Sequence, residues 1–223
     1  MKIQELLYES NDLKENIAKV VTTITTNCQP FLHETNYQIN DLRMFRGLMN
    51  YVTQVYDSNN ELTNAPGYNP KRKPKDTPKY LHTELNRIFT KLFHFPFRNG
   101  TFVSGSRSFA AGYGNVSLTI PIGEFHYLWS PKVEDLFEHW QNFETETILH
   151  SMQTNAYSTN SIRWEAYLDM IRRNDVQYQT TNLIQGIKSD HEIMLYCDRC
   201  FVLPEEPVIT IALKQIQNNH GAT

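Results

Sequence analysis

The sequence predicts an α+β fold, and three observations carry that expectation. Apolar residues recur at helical spacing early in the chain, at Ile3, Leu6, Leu7, Leu13, Ile17, Val20, Val21 and Ile24. Strand-like runs gather later, over 116–129 and again between 192 and 216. The two kinds of segment do not alternate in the βαβ manner of a parallel sheet.

The elements follow in order. Spacings of three and four predict a helix over residues 2–27, with a fresh start near Ser10-Asn11-Asp12 and a stop at Cys28-Gln29-Pro30. Residues 41–47 read as a short strand ending at Gly47. Asn-Asn, Pro66-Gly67, Asn69-Pro70 and Asp76-Thr77-Pro78 then make a long turn-rich segment from Asp57 to Pro78. Helical spacing returns through Leu81, Leu85, Ile88, Phe89 and Leu92 over 78–94, and Pro96 closes it. Arg98-Asn99-Gly100 turns into a strand at 101–104, and a short helix carries Phe109 to Tyr113. Val116, Leu118, Ile120, Ile122, Phe125, Tyr127 and Trp129 make a strand-like run punctuated by Pro121 and Gly123. Helices are expected over 131–153 and 160–173, and strands over 192–197, 200–203 and 207–216.

At 223 residues with 40% hydrophobic content, the chain suits one domain with a full core. The expected organisation is a single domain, 1–223, with residues 1–40 packed on it as a helical segment. Its 21 Lys and Arg against 24 Asp and Glu give no field that would favour nucleic acid or membrane. No apolar run approaches the ~20 residues that cross a bilayer. The polar and acidic N-terminal residues argue against a secretory signal, and three cysteines leave one unpaired in any disulfide scheme; a cytoplasmic protein is expected.

Three short stretches bear on chemistry. Phe45-Arg46-Gly47 closes a strand with a guanidinium suited to phosphate oxygens and a glycine that admits a ligand to the backbone. Phe102-Val103-Ser104-Gly105-Ser106 ends a second strand in hydroxyls. Asp190-His191-Glu192 runs into Ile193-Met194-Leu195-Tyr196, which sets a carboxylate at the mouth of a third strand. Arginine, serine and glutamate in that order resemble the triad of the ADP-ribosyltransferases, enzymes that split NAD at the nicotinamide bond. The resemblance covers roughly residues 41–216. Ser104-Gly105-Ser106 stands where the family commonly has S-T-S, and Ala110, Tyr113 and Gly114 resemble the helix that follows it.

The resemblance implies a split β-sandwich of two small sheets with flanking helices and a nicotinamide cleft between the sheets. It implies NAD as substrate, with Arg46 on its phosphate side and Gly47 at the amide. Ser104 would orient Glu192, Ser104 and Ser106 would bind NAD, and Phe109 or Tyr113 would stack on the nicotinamide ring. Glu192 would hydrogen-bond the ribose and stabilise the oxocarbenium-like transition state as nicotinamide leaves. Asp190 would face the acceptor, a protein in preference to nucleic acid; with water as acceptor the outcome is NAD hydrolysis. A non-catalytic binding or structural protein that keeps the fold is the contrasting class. The small, signal-free form suits a phage or bacterial effector acting in a host cytoplasm.

Other features take plainer readings. Glu144-Thr145-Glu146 matches the family's E-x-E wording but lies at helical intervals, on an exposed helix face. Cys197-Asp198-Arg199-Cys200 reads as two ordinary cysteines around a turn, since Cys28 offers no second pair for zinc. Lys71-Arg72-Lys73-Pro74-Lys75 reads as a solvated loop, and His191 as a surface residue. The eight histidines contain no H-x-x-x-H pair, so no metal is expected.

Overall fold

The computed structural model describes residues 3–50, 52–74, 77–154 and 160–220, the side chains of 3–10, 151–154, 160 and 161 excepted. Lys75, the last residue of the basic run, and Asp76 lie outside the described residues. The chain mixes helix with one antiparallel sheet, an α+β arrangement. It divides into two compact units, each assembled from separated segments: 1–67, 103–125 and 197–223 in the first, 68–102 and 126–196 in the second.

The first unit is built on helix α1 (Ile3–Asn27) and helix α8 (Pro207–His220), which pack together. Ile17, Val20 and Ile24 form the buried stripe of α1, continued by Cys28. No break occurs at Ser10-Asn11-Asp12; α1 runs through them, and a short helix α2 (Gln29–Glu34) follows Cys28 with its proline in the first turn, where no amide donor is needed. Residues 207–216, expected as a strand, lie within α8. Ile209, Ala212, Leu213 and Ile216 are its buried residues, spaced at helical intervals, and Pro207 occupies the first helical position.

Strands β1 (Phe45–Leu48), β2 (Asn64–Pro66), β3 (Thr101–Val103), β4 (Asn115–Trp129) and β5 (Ile193–Leu203) form one five-stranded sheet among the described residues. The order is β1-β4-β5-β2, with β3 pairing β5 off that path. This corrects the expectation of two small sheets. The long strands β4 and β5 each contribute residues to both units, so one ladder serves where two were expected. Register is antiparallel at Phe45↔Leu118 through Leu48↔Asn115, and at Asn64↔Phe201 through Pro66↔Arg199. Gly123 takes φ +67° within β4, a left-handed residue where a side chain would be strained. The 192–197 and 200–203 strands are one continuous strand, so Cys197 and Cys200 lie within β5 and not around a turn.

The second unit gathers helices α3 (Lys79–Phe93), α5 (Leu136–Thr154), α6 (Asn160–Arg172) and α7 (Leu183–Lys188). Of the predicted face of α3, Leu81, Leu85, Ile88 and Phe89 are buried and pack with Leu128, Trp140, Tyr167 and Met194, whereas Leu92 is exposed. Beyond α3, Phe97–Asn99 make a 3-10 turn into β3. Gly100 is required there, because a Cβ on it would come within 2.0 Å of the Leu195 carbonyl oxygen.

Candidate functional site

In the first unit, backbone pairing brings Arg46 and Ser104 into one neighbourhood. Phe45 donates its amide to the Ser104 carbonyl at 2.7 Å, and Ser104 returns the bond at 3.0 Å. Burial lowers the pKa of the half-buried Arg46 guanidinium, opposed by the thiols of Cys200 and Cys197. Gly47 carries a packing role: a Cβ there would meet the Ala110 carbonyl oxygen at 2.2 Å and Tyr113 Cβ at 2.8 Å. The close approach of helix α4 (Arg107–Ala111) to β1 therefore depends on that glycine.

The serines of this unit have local tasks. The Ser106 amide donates to Ser104 Oγ at 3.1 Å. Ser106 is the N-cap of α4, its Oγ accepting from the Phe109 amide at 3.2 Å. Phe109 and Tyr113 lie 5.4 Å apart between ring centroids, and Tyr113 is 48% exposed.

Glu192 belongs to the second unit, where its surroundings are more charged than the sequence suggested. Its amide donates to the Glu134 carbonyl at 2.7 Å, which fixes the backbone at the mouth of β5. The side chain is only 11% exposed. Arg98 Nη1 stands 3.5 Å from Glu192 Oε1, and the Arg98 side chain is 6% exposed. Burial pushes the Glu192 carboxyl up to about 7, with Asp135 adding to the rise. Arg98, Arg72 and the Leu136 amide at the first turn of α5 pull it back. Asp190, two residues earlier, is exposed at φ +63° just past the end of α7. His191 is half-buried, its Nδ1 2.8 Å from the Ser130 carbonyl oxygen, and not a surface residue.

Arg98 is the functional candidate that the sequence hid inside a turn. Its amide donates to Asn86 Oδ1 at 2.9 Å, so α3 anchors the turn that carries it. Nη2 donates to Thr77 Oγ1 at 3.1 Å. The guanidinium carbons of Arg98 and Arg72 lie 4.6 and 4.0 Å from the Phe102 ring centroid, and Arg72 Nη1 donates to the Gly100 carbonyl. Asp135 caps α5 through the Glu138 amide at 2.8 Å. Tyr167 and Tyr178 are buried with this group, and burial raises both phenols. No residue type or spacing in the sequence marks Arg98 as the neighbour of Glu192.

The remaining features are accounted for by structure. Glu144 and Glu146 lie on α5; Glu144 is half-buried with Arg163 Nη2 3.7 Å away, and Glu146 is exposed. All three cysteines are free and buried. Burial raises the Cys28 thiol to about 12, and hydrogen bonding to Cys200 with burial raises Cys197 further. Neutral thiols of this kind are poor nucleophiles. Among the described residues no group of three or more His, Cys, Asp or Glu could hold a metal ion. Likewise, no described helix is long and apolar enough to cross a membrane. Lys71 and Lys73 are exposed, whereas Arg72 is half-buried against Phe102, so the run is only partly a solvated loop. No family of proteins, no curated protein and no solved structure matches this chain.

Proposed function

We propose that this protein is an NAD-dependent ADP-ribosyltransferase in which Glu192 is the reacting carboxylate. The observation that carries the reading is Glu192 itself. A carboxylate 11% exposed at the mouth of a strand, set against a buried guanidinium and a helix N-terminus, is held in one place and kept near its ionisation point at neutral pH. Such a group favours a developing oxocarbenium ion over the neutral sugar, which is the differential stabilisation that speeds loss of nicotinamide. NAD and an acceptor nucleophile give ADP-ribosyl acceptor, neutral nicotinamide and a proton. The resemblance assigns Arg46 and Gly47 to the phosphate and amide of NAD, Ser104 to Glu192, Ser106 to NAD, Phe109 or Tyr113 to the ring, and Asp190 to the acceptor.

Incubation with NAD labelled in its adenylate-ribose part measures two things at once. Nicotinamide release is expected from the wild type and is expected to drop by about 10²–10³-fold in Glu192→Ala. Label on a macromolecule indicates transfer; free ADP-ribose indicates an NAD glycohydrolase. Equal release from both proteins, or none from the wild type, overturns the reading. A second reading, a non-catalytic binding or structural protein, is favoured by one observation: Arg98 already sits against Glu192 as a buried ion pair. It predicts no nicotinamide release and an effect of Glu192→Ala on stability alone.

A further inference from the structure

We propose that Arg98 is a positioning residue for Glu192, a guanidinium fixed so that it holds the carboxylate in place as an anion at the mouth of β5. The inference rests on the reading of Glu192 as the reacting group and names the residue that sets its charge state. Three contacts immobilise Arg98: the Asn86 side chain on its amide, the Thr77 hydroxyl on Nη2, and the Phe102 ring beneath its guanidinium. Among the described residues, Arg98 Nε and Nη1 are buried without a hydrogen-bond partner. No described residue offers Nη1 a hydrogen-bond acceptor, and the atom that it faces at ion-pair distance is Glu192 Oε1. A separation of 3.5 Å is an electrostatic contact longer than a hydrogen bond, so the carboxylate keeps lone pairs for a ribose hydroxyl.

The groups acting on Glu192 come from every element around it. Arg98 acts from the 3-10 turn, Arg72 from the loop before α3, Asp135 and the Leu136 amide from the start of α5. Tyr167 on α6 and Tyr178 in the segment after it are also within electrostatic reach. Two of these are cations, and Arg72 spends an Nη1 donor on the Gly100 carbonyl. Among the described residues Arg98 is the cation at ion-pair distance, so it is the one whose loss leaves the buried carboxylate with only Arg72 and the Leu136 amide to compensate it.

The test follows the Glu192 carboxyl by NMR in protein carrying ¹³C at the glutamate carboxyl, assigned with Glu192→Gln, alongside the pH profile of nicotinamide release. The wild-type midpoint is expected near 7. Arg98→Gln is expected to raise it by at least about one pH unit, and Arg98→Lys to restore most of the shift. Thr77→Val, which frees Nη2 without removing the guanidinium, is expected to give a smaller rise and serves if Arg98→Gln does not fold. An unchanged midpoint in folded Arg98→Gln, or in Thr77→Val where the former is unfolded, overturns the proposal. Absence of nicotinamide release from the wild type overturns the proposed function while the titration still decides Arg98. Release that needs Glu192 but a midpoint that ignores Arg98 removes the positioning role alone.

Discussion

In the first unit, Gly47, Ser104 and Ser106 each have a local structural task, whereas in the second unit Glu192 and Arg98 form a buried ion pair that well-packed apolar residues could often replace together without loss of stability. Gly47 lets α4 approach β1, Ser104 accepts from the Ser106 amide, and Ser106 caps α4. These roles would be kept in any protein with this backbone. A carboxylate at 11% exposure is different, because its desolvation costs several kcal/mol that a neighbouring guanidinium only partly offsets. Replacement of such a pair by apolar residues is often neutral or stabilising. The comparison teaches where to look for function: at the charge that folding alone would not keep.

The largest expected effect tests that contrast directly. Arg98→Ala is expected to destabilise the protein by about 4 kcal/mol at pH 8, read as a lowered denaturant midpoint, because it strands a buried carboxylate. The effect depends on pH with a definite sign. The carboxyl of Glu192 is raised in the folded state from its ordinary 4.5 to about 7, so the folded protein holds the proton more tightly. Its contribution to stability is complete below pH 4.5 and is lost as pH rises through 7, about 3 kcal/mol in all. Without Arg98 the loss extends to higher pH, so the penalty of the substitution is expected to shrink at pH 5.5. An equal penalty at both pH values would make Arg98 a packing residue and erase the contrast.

Smaller effects belong to the first unit. Gly47→Ala places a methyl group 2.2 Å from a backbone oxygen, and a loss of about 3 kcal/mol in chemical denaturation is expected, with no dependence on pH. Ser106→Ala removes the cap on α4 and is expected to cost about 1 kcal/mol by the same measurement. If Ser106→Ala left stability untouched yet abolished nicotinamide release, the serine would have moved from the structural side of the comparison to the chemical one.

Much of the fold was legible because it rests on periodicity. Leu81, Leu85, Ile88 and Phe89 mark the buried face of α3 at the spacing that a helix requires. Residues 207–216 misled because Val208, Ile209, Thr210 and Ile211 are a β-branched run, and strand propensity hid the helical spacing of Ile209, Ala212, Leu213 and Ile216. The boundary at Pro207, suited to a first helical turn, was the signal available. The single sheet was hidden by Asp198 and Arg199, two adjacent exposed residues that break the burial pattern of β5 without ending it. Within the site, the carboxylate at the mouth of β5 was legible from Glu192 and the apolar run after it. Arg98 was not, because an ion pair between a turn and a distant strand has no local pattern. It exists only once Asn86 has fixed the turn that carries Arg98.

The most direct test measures nicotinamide released from NAD by the wild type and by Glu192→Gln between pH 5.5 and 8.5, with thermal melting of both as a control for folding. Release by the wild type that falls as pH drops through about 7, with a residual rate near background in a folded Glu192→Gln, is the predicted result. Release that is the same in both proteins, or absent from a folded wild type at every pH, would contradict the assignment of Glu192 as the reacting group.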